Sequence, residues 1–371
     1  MNGSLPFTRI IRELPSTVPF VPPEAMERRQ GRPLKVRVGA NESAFGISPL
    51  AREAMCAAVD RVSWYNDPEA HDLRAALAQL HGISIEEVSI GSGIDDLLGL
   101  VVRLLIENGD PVVSSLGGYP TFHYHVEGFG GILHRVPYRD DREDLEGLVC
   151  RAGEVGAHLL YVANPDNPMG TWHTAAALRE LIEQLPAGCV LILDEAYVEF
   201  APAEARLPLS LEDPRLVRMR TFSKAHGMAG ARVGYALGHR QMIAALDKVR
   251  NHFGVNRVAQ AGALASLQDE RFIQGVVRAV AEGRREYEEL GRELGLPTLP
   301  SGTNFVAMDI GGGKRARALM AALLEEDVFV RMPGVEPLDR CIRVTVGTPR
   351  ERRAFAQALR RVLPRINGGE R

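Results

Sequence analysis

Within Thr221–Gly234, TFSKAHGMAGARVG, one lysine follows a serine, stands among glycines and has an arginine eight residues on. A lysine attacks a carbonyl only as the neutral amine, so Lys224 needs burial or a neighbouring cation to shed its proton. Arg232 is a candidate for that cation. With the Ser223 hydroxyl it could also grip a phosphate, because a planar guanidinium meets phosphate oxygens two at a time. The set reads as a seat for a phosphorylated carbonyl cofactor, although a surface turn rich in glycine and lysine would look similar. The elements around it carry the decision.

Three strand-to-loop transitions point to the same place. CVLILDEAYVEF (Cys189 to Phe200) has an apolar half suited to a central strand covered on both faces, with Asp194, Glu195 and Tyr197 at or just after its carboxyl end. HLLYVANPDNPMG (His158 to Gly170) ends another buried strand in a polar loop that holds Asn167. VSI, GSGIDD and LLGLVVRLL read as strand, glycine turn and helix, which aims the backbone N–H groups after Gly93 at an anion. A dinucleotide fingerprint would place a third glycine where Asp96 stands, which argues against a nicotinamide-binding fold. In an open sheet of alternating β and α elements, ligands bind at the carboxyl edge of the strands. Asp67 or Pro68 is expected to start a helix with Leu73, Ala76, Leu77 and Leu80 on its apolar stripe. Glu42 and Glu195 read as loop charges.

The 371 residues suit a proline-rich arm at 1–35, a large α/β domain at 36–250 with a mostly parallel central sheet, and a smaller α+β domain at 251–371. Forty-four basic against 47 acidic residues leave a net charge of −3, with no basic run to draw nucleic acid. No apolar leader or membrane-length segment stands out, so a cytoplasmic protein is expected. Cys56, Cys150, Cys189 and Cys341 are scattered, which suggests neither a zinc site nor a disulfide framework. His123 and His125 alternate without a third ligand nearby, so no metal is expected. No G-x-S-x-G supports a serine hydrolase.

In order and wording, N-P-D-N-P-M-G, D-E-A-Y and S-K-x7-R resemble the fold-type I pyridoxal-phosphate aminotransferases along almost the whole chain. With GANESAFGISP, WYNDP, GSGIDDLL and IRVTVGT, the sequence is most similar to the histidinol-phosphate aminotransferase family, enzymes of histidine biosynthesis. That resemblance implies that Lys224 carries pyridoxal 5′-phosphate covalently and that Asp194 keeps the pyridine nitrogen protonated. Tyr197 and Asn167 would bond the ring's O3′, and Phe122 would stack on the ring. Ser223, Arg232 and the backbone amides of Ile94 and Asp95 beyond Gly93 would hold the phosphate. Tyr65 of the partner subunit would reach it across a homodimer. Asn41, Arg331 and Arg343 would bind substrate, Arg343 taking a carboxylate and Arg331 a distal anion. The family's N-terminal P-Y tyrosine, which reaches the substrate phosphate, is replaced by Phe20 in V-P-F-V-P. That loss thins the anion site and admits an aromatic amino acid beside a histidinol-phosphate-like donor, with a 2-oxo acid such as 2-oxoglutarate as acceptor. A decarboxylase acting on a phosphorylated amino acid would share the same anchors. A cofactor-binding regulatory module would carry a DNA-binding segment, and no basic helix-turn-helix pattern is present.

Overall fold

The computed structural model describes residues 5–15 and 21–367; Phe20 lies outside them. Eleven strands are described: β1 (Val36–Arg37), β2 (Val88–Gly91), β3 (Pro111–Ser115), β4 (Ile132–Val136), β5 (Leu159–Ala163), β6 (Val190–Asp194), β7 (Leu216–Thr221), β8 (Gly234–Gly238), β9 (Phe305–Asp309), β10 (Val328–Phe329) and β11 (Cys341–Thr345). Seven form one sheet in the order β2-β8-β7-β6-β5-β3-β4, in which β8 runs antiparallel to both its neighbours and every other pairing is parallel. The apolar runs of β5 and β6 are buried on both faces, as a strand between two helical layers must be. One layer is led by the helix Ile94–Leu105, which buries Leu97, Leu98, Val101 and Val102. On the other face, Leu148, Leu178 and Leu181 pack over Leu160, Leu191 and Leu193.

The C-terminal unit is a helix-covered β9–β11 antiparallel pair with its own core around Phe305, Leu319, Ile342 and Phe355. Its membership differs from a division at residues 36 and 250. β1 pairs in parallel with β10, and Val36 and Val38 sit in the C-terminal core, while the helix Arg257–Leu267 packs on the helices Pro49–Val59 and His71–His81. The N-terminal stretch is also more than an extended arm. Pro23–Gln30 is helical, and Gln30 donates to Leu324 O while Arg32 and Lys35 pair with Asp327, all within the same chain.

The helix expected from Asp67 or Pro68 begins at His71, because Ala70 is left-handed (φ 46°) and the Asp67 carboxylate caps Glu69 N and His71 N instead. Leu73 and Leu77 face the core, but Leu80 is exposed. Arg340 ties the two units together, with both terminal contacts on Asp141 at 2.7 Å and its Nε on Asp309 at 2.7 Å. Among the described residues no helix is long and apolar enough to cross a membrane.

Candidate active site

Parallel pairing places the carboxyl ends of β5, β6 and β7 at one edge of the sheet, and the loops beyond them enclose Lys224. The chain turns tightly there: Gly227 N–H donates to Lys224 O at 3.1 Å and Met228 N–H to Phe222 O at 2.9 Å. Lys224 Nζ donates to Asn41 O at 3.1 Å and lies 5.6 Å from the centre of the Tyr197 ring. Burial, then the Arg343 guanidinium, pushes its amine down to about 8, against the opposing pull of Asp95 and Glu42. Arg232, the cation expected from sequence to do this, lowers it too, but less than Arg343 does.

Arg232 serves the glycine turn instead. Its Nη2 is 3.3 Å from Asp95 Oδ2, and Asp95 Oδ1 accepts from the Tyr119 hydroxyl at 2.8 Å. Gly93 is left-handed (φ 85°), and a Cβ there would lie 2.5 Å from Arg232 Nη2, so glycine is what lets the guanidinium close on the N-terminus of the helix at Ile94. Ser223 follows the end of β7, where Thr221 pairs with Gly234, and Gly234 in turn lies against Gly93 and Ile94. The Ser223 hydroxyl accepts from Thr221 Oγ1 at 2.9 Å, which leaves its own proton to be donated elsewhere.

Asp194 ends β6 fully buried. Oδ2 accepts from the Tyr161 hydroxyl at 2.8 Å and Oδ1 from Ala196 N–H at 2.9 Å, both neutral donors. Burial therefore raises its carboxyl to about 6. Glu195 beside it is no loose loop charge: it is buried and held by Arg218 and Arg220, which keep its carboxyl below the usual range and anchor the strand end. Tyr197 accepts from Asn41 Nδ2 at 2.9 Å, and burial pushes its phenol up to about 12.

Arg343 on β11 exchanges backbone hydrogen bonds with Arg331, which brings two cations side by side. Its Nη1 donates to Asn167 Oδ1, its guanidinium lies 5.2 Å from the centre of the Phe305 ring, and burial reinforced by Arg331 draws it down to about 10. Its Nε is buried and has no partner among the described residues, so one strong donor remains to be satisfied.

Two sequence expectations change. Phe122 has no exposed surface: it stacks on Tyr161 at 4.6 Å inside the core and cannot offer a ring face to a ligand. Tyr119, which precedes the helix starting at Pro120, is the aromatic at the cleft. Asn41 uses both side-chain atoms within the chain, on Tyr197 and on Thr345, instead of presenting them to a substrate. Tyr65 is 80% exposed and packs on Phe253 at 4.8 Å, on the outer surface. His123 is buried against Ser114. Sequence reasoning missed Tyr119, Tyr161, Thr221 and Thr345. A tyrosine inside a buried strand must find a partner for its hydroxyl, and Tyr161 could have been found on that ground.

The residues fit a phosphorylated pyridine aldehyde. They provide a buried amine held near neutrality, a buried carboxylate with no cation paired to it among the described residues, and a helix N-terminus closed by an arginine. A family model for class I and II aminotransferases matches residues 34–359. Histidinol-phosphate aminotransferase 2 of Carboxydothermus hydrogenoformans is 35% identical over 96% of this chain and 98% of its own. The enzyme of that activity from Moorella thermoacetica is 34% identical over 93% of this chain and 90% of its own. The crystal structure of histidinol-phosphate aminotransferase from Sinorhizobium meliloti in complex with pyridoxal-5′-phosphate superposes with a TM-score of 0.95 at 47% identity, covering 98% of this chain and 99% of that one. Fold and site define a fold-type I, pyridoxal-phosphate-dependent aminotransferase. The chain belongs to the class I and II aminotransferase family and, within it, to the histidinol-phosphate aminotransferases.

Proposed function

We propose that this enzyme takes the amino group from a histidinol-phosphate-like donor and gives it to a 2-oxo acid such as 2-oxoglutarate, in the cytoplasm, as a step of histidine biosynthesis. The observation that carries this reading is the Arg331–Arg343 pair across one backbone bridge, which sets a second cation next to the Arg343 guanidinium that acts on the buried lysine. Histidinol phosphate has no carboxylate, and its phosphate dianion suits such a pair. The carboxylates of a 2-oxo acid suit the same two cations in the return half of the cycle.

Pyridoxal phosphate supplies an electrophilic carbonyl carbon and an electron-withdrawing ring. The chain's residues do the rest. Lys224 Nζ would hold the cofactor covalently and, once freed, would take the proton from the substrate's Cα. Asp194 would hold a proton on the ring nitrogen, and Tyr197 and Asn167 would bond the ring oxygen. Ser223, Arg232 and the amides of Ile94 and Asp95 would hold the phosphate, Tyr119 in place of Phe122 would be the aromatic offered to the ring, and Arg343 would orient the anionic substrate. Burial excludes water, which strengthens each of these contacts.

The test is an amine-donor panel with 2-oxoglutarate, read as glutamate formed, comparing kcat/KM for histidinol phosphate and phenylalanine in the wild type and Phe20→Tyr. Turnover of both donors is expected, with about a ten-fold gain or more in the preference for the phosphorylated donor in Phe20→Tyr, the value of one hydrogen bond to a charged group. Glutamate formed only with unphosphorylated donors would sink the phosphate reading, and released carbon dioxide in place of glutamate would favour a decarboxylase.

A further inference from the structure

Asn41 is the one described residue that touches both Lys224 and Tyr197 by hydrogen bonds, and it does so with different parts of itself. Its backbone is left-handed at φ 56°, an uncommon state for a residue with a Cβ. That turn points its carbonyl at Lys224 Nζ (3.1 Å), where Asn304 Nδ2 also donates at 3.1 Å. The side chain goes the other way. Nδ2 donates to Tyr197 Oη at 2.9 Å, while Oδ1 accepts from Thr345 Oγ1 at 3.3 Å. Thr345 Oγ1 in turn accepts from Asn41 N–H at 3.0 Å, so the threonine proton is directed to Oδ1 and fixes which end of the amide faces the tyrosine.

A phenol oxygen that accepts a hydrogen bond from an amide on one side keeps its own proton for the other side. We propose that Asn41 is a positioning residue: its amide occupies one lone pair of Tyr197 Oη so that the phenol proton is directed into the cleft, and its carbonyl receives the Lys224 amine whenever that amine is free. Without the amide, the Tyr197 hydroxyl can rotate its proton away from the cofactor's ring oxygen. With it, the donor is aimed before any ligand arrives, which is the preorganisation that makes a hydrogen bond effective in a dry site. Burial and the Asn41 contact act on Tyr197 in opposite directions, the second favouring the oxygen's negative character. The charged or titratable groups facing Tyr197 are Asp194 from the end of β6 just before it, Asp166 from the loop after β5, Tyr119 ahead of the helix at Pro120, Arg343 from β11 and Lys224. None of them is altered in the test below.

The inference rests on Lys224 being the cofactor-bearing lysine, and the test separates the two. Asn41→Gly keeps the left-handed backbone and the carbonyl and removes only the amide, so the fold and the Lys224 contact are expected to persist. The readout is the pH midpoint of the visible absorbance of bound pyridoxal phosphate, measured for wild type, Asn41→Gly, Tyr197→Phe and the double variant. Borohydride reduction and peptide mapping of each protein locate the cofactor's lysine. Asn41→Gly is expected to move the midpoint by about one pH unit, the scale of a single hydrogen bond, in the direction of Tyr197→Phe. In the double variant the Asn41 change should add nothing, because it acts through the phenol. A midpoint unmoved by Asn41→Gly, or one that moves equally when Tyr197 is already Phe, overturns the role given to Asn41 while mapping still returns Lys224. A reduced adduct on another lysine overturns the reading of Lys224 itself.

Discussion

Lys224 sits where an ammonium ion is poorly solvated, and the consequence is kinetic. At pH 7 an ordinary lysine is neutral in about one molecule in three thousand, whereas one titrating near 8 is neutral in about one in ten. Burial is the largest cause of that change and Arg343 the next, so the residue we propose to orient the anionic substrate also prepares the nucleophile. Arg343→Gln removes a cation, which must raise the amine's pKa. In the apoprotein, the rate at which an acylating reagent modifies Lys224 is expected to rise with pH through a midpoint near 8, and through a higher midpoint in Arg343→Gln. Peptide mass spectrometry across pH 6–10 checks this, and coincident midpoints would leave burial as the whole cause. The folded chain binds this proton less tightly than the unfolded chain does. The group therefore adds stability as pH rises from about 8 towards the ordinary lysine value.

At the scale of elements, the loops that carry these residues are held by backbone contacts as much as by side chains. Gly227, three residues after Lys224, is left-handed (φ 72°), and a Cβ there would lie 1.9 Å from Gly46 O, so two loops pack backbone to backbone beside the amine. Gly227→Ala adds the cost of that conformation to a clash that cannot relax through a side chain. A loss of at least about 2–3 kcal/mol is expected, with a lower Tm and less bound cofactor. A melting curve and an absorbance spectrum of the purified variant check both. The strand that ends at Asp194 and the one that leads into the Asn167 loop were legible in the sequence, because continuous apolar runs bounded by polar turns have few other solutions, and so was the glycine turn ahead of Ile94. Contacts set by distant partners were not. β1 is two residues long and exists only through β10, and no local pattern assigns Val36 to the C-terminal core. Phe122 and Tyr119 show the same limit within one turn. Both are aromatic residues near Pro120, and the direction of the helix, which composition does not reveal, buries the first and leaves the second at the cleft. Glu195 read as a surface charge because its partners, Arg218 and Arg220, lie on the neighbouring strand β7.

For the whole molecule, the outer surface argues for a second copy. Trp64 is 69% exposed, Tyr65 80% and Phe253 46%, and Val59 and Val62 extend the same apolar region. Large neighbouring apolar side chains on a surface mark an interaction site, and an isologous contact would bury two such regions at once. The WYNDP turn that exposes Tyr65 is fixed rather than loose: Arg257 donates to Tyr65 O, and Gln260 donates to Asp67 O at 3.0 Å. A fixed turn carrying an exposed phenol is suited to present its hydroxyl to a neighbouring subunit. If Tyr65 of the partner subunit completes each site, subunits bearing Lys224→Ala and Tyr65→Phe should complement each other. In a mixed dimer one site then has neither group and the other has both, so each mixed dimer should recover about half the wild-type activity. The mixture should exceed the mean of its two parents, with hybrids isolated by differential tagging and the oligomeric state read by light scattering. If purified hybrids work only at the mean of the parents, Tyr65 serves its own chain, and the exposed region is an interface without a part in the chemistry.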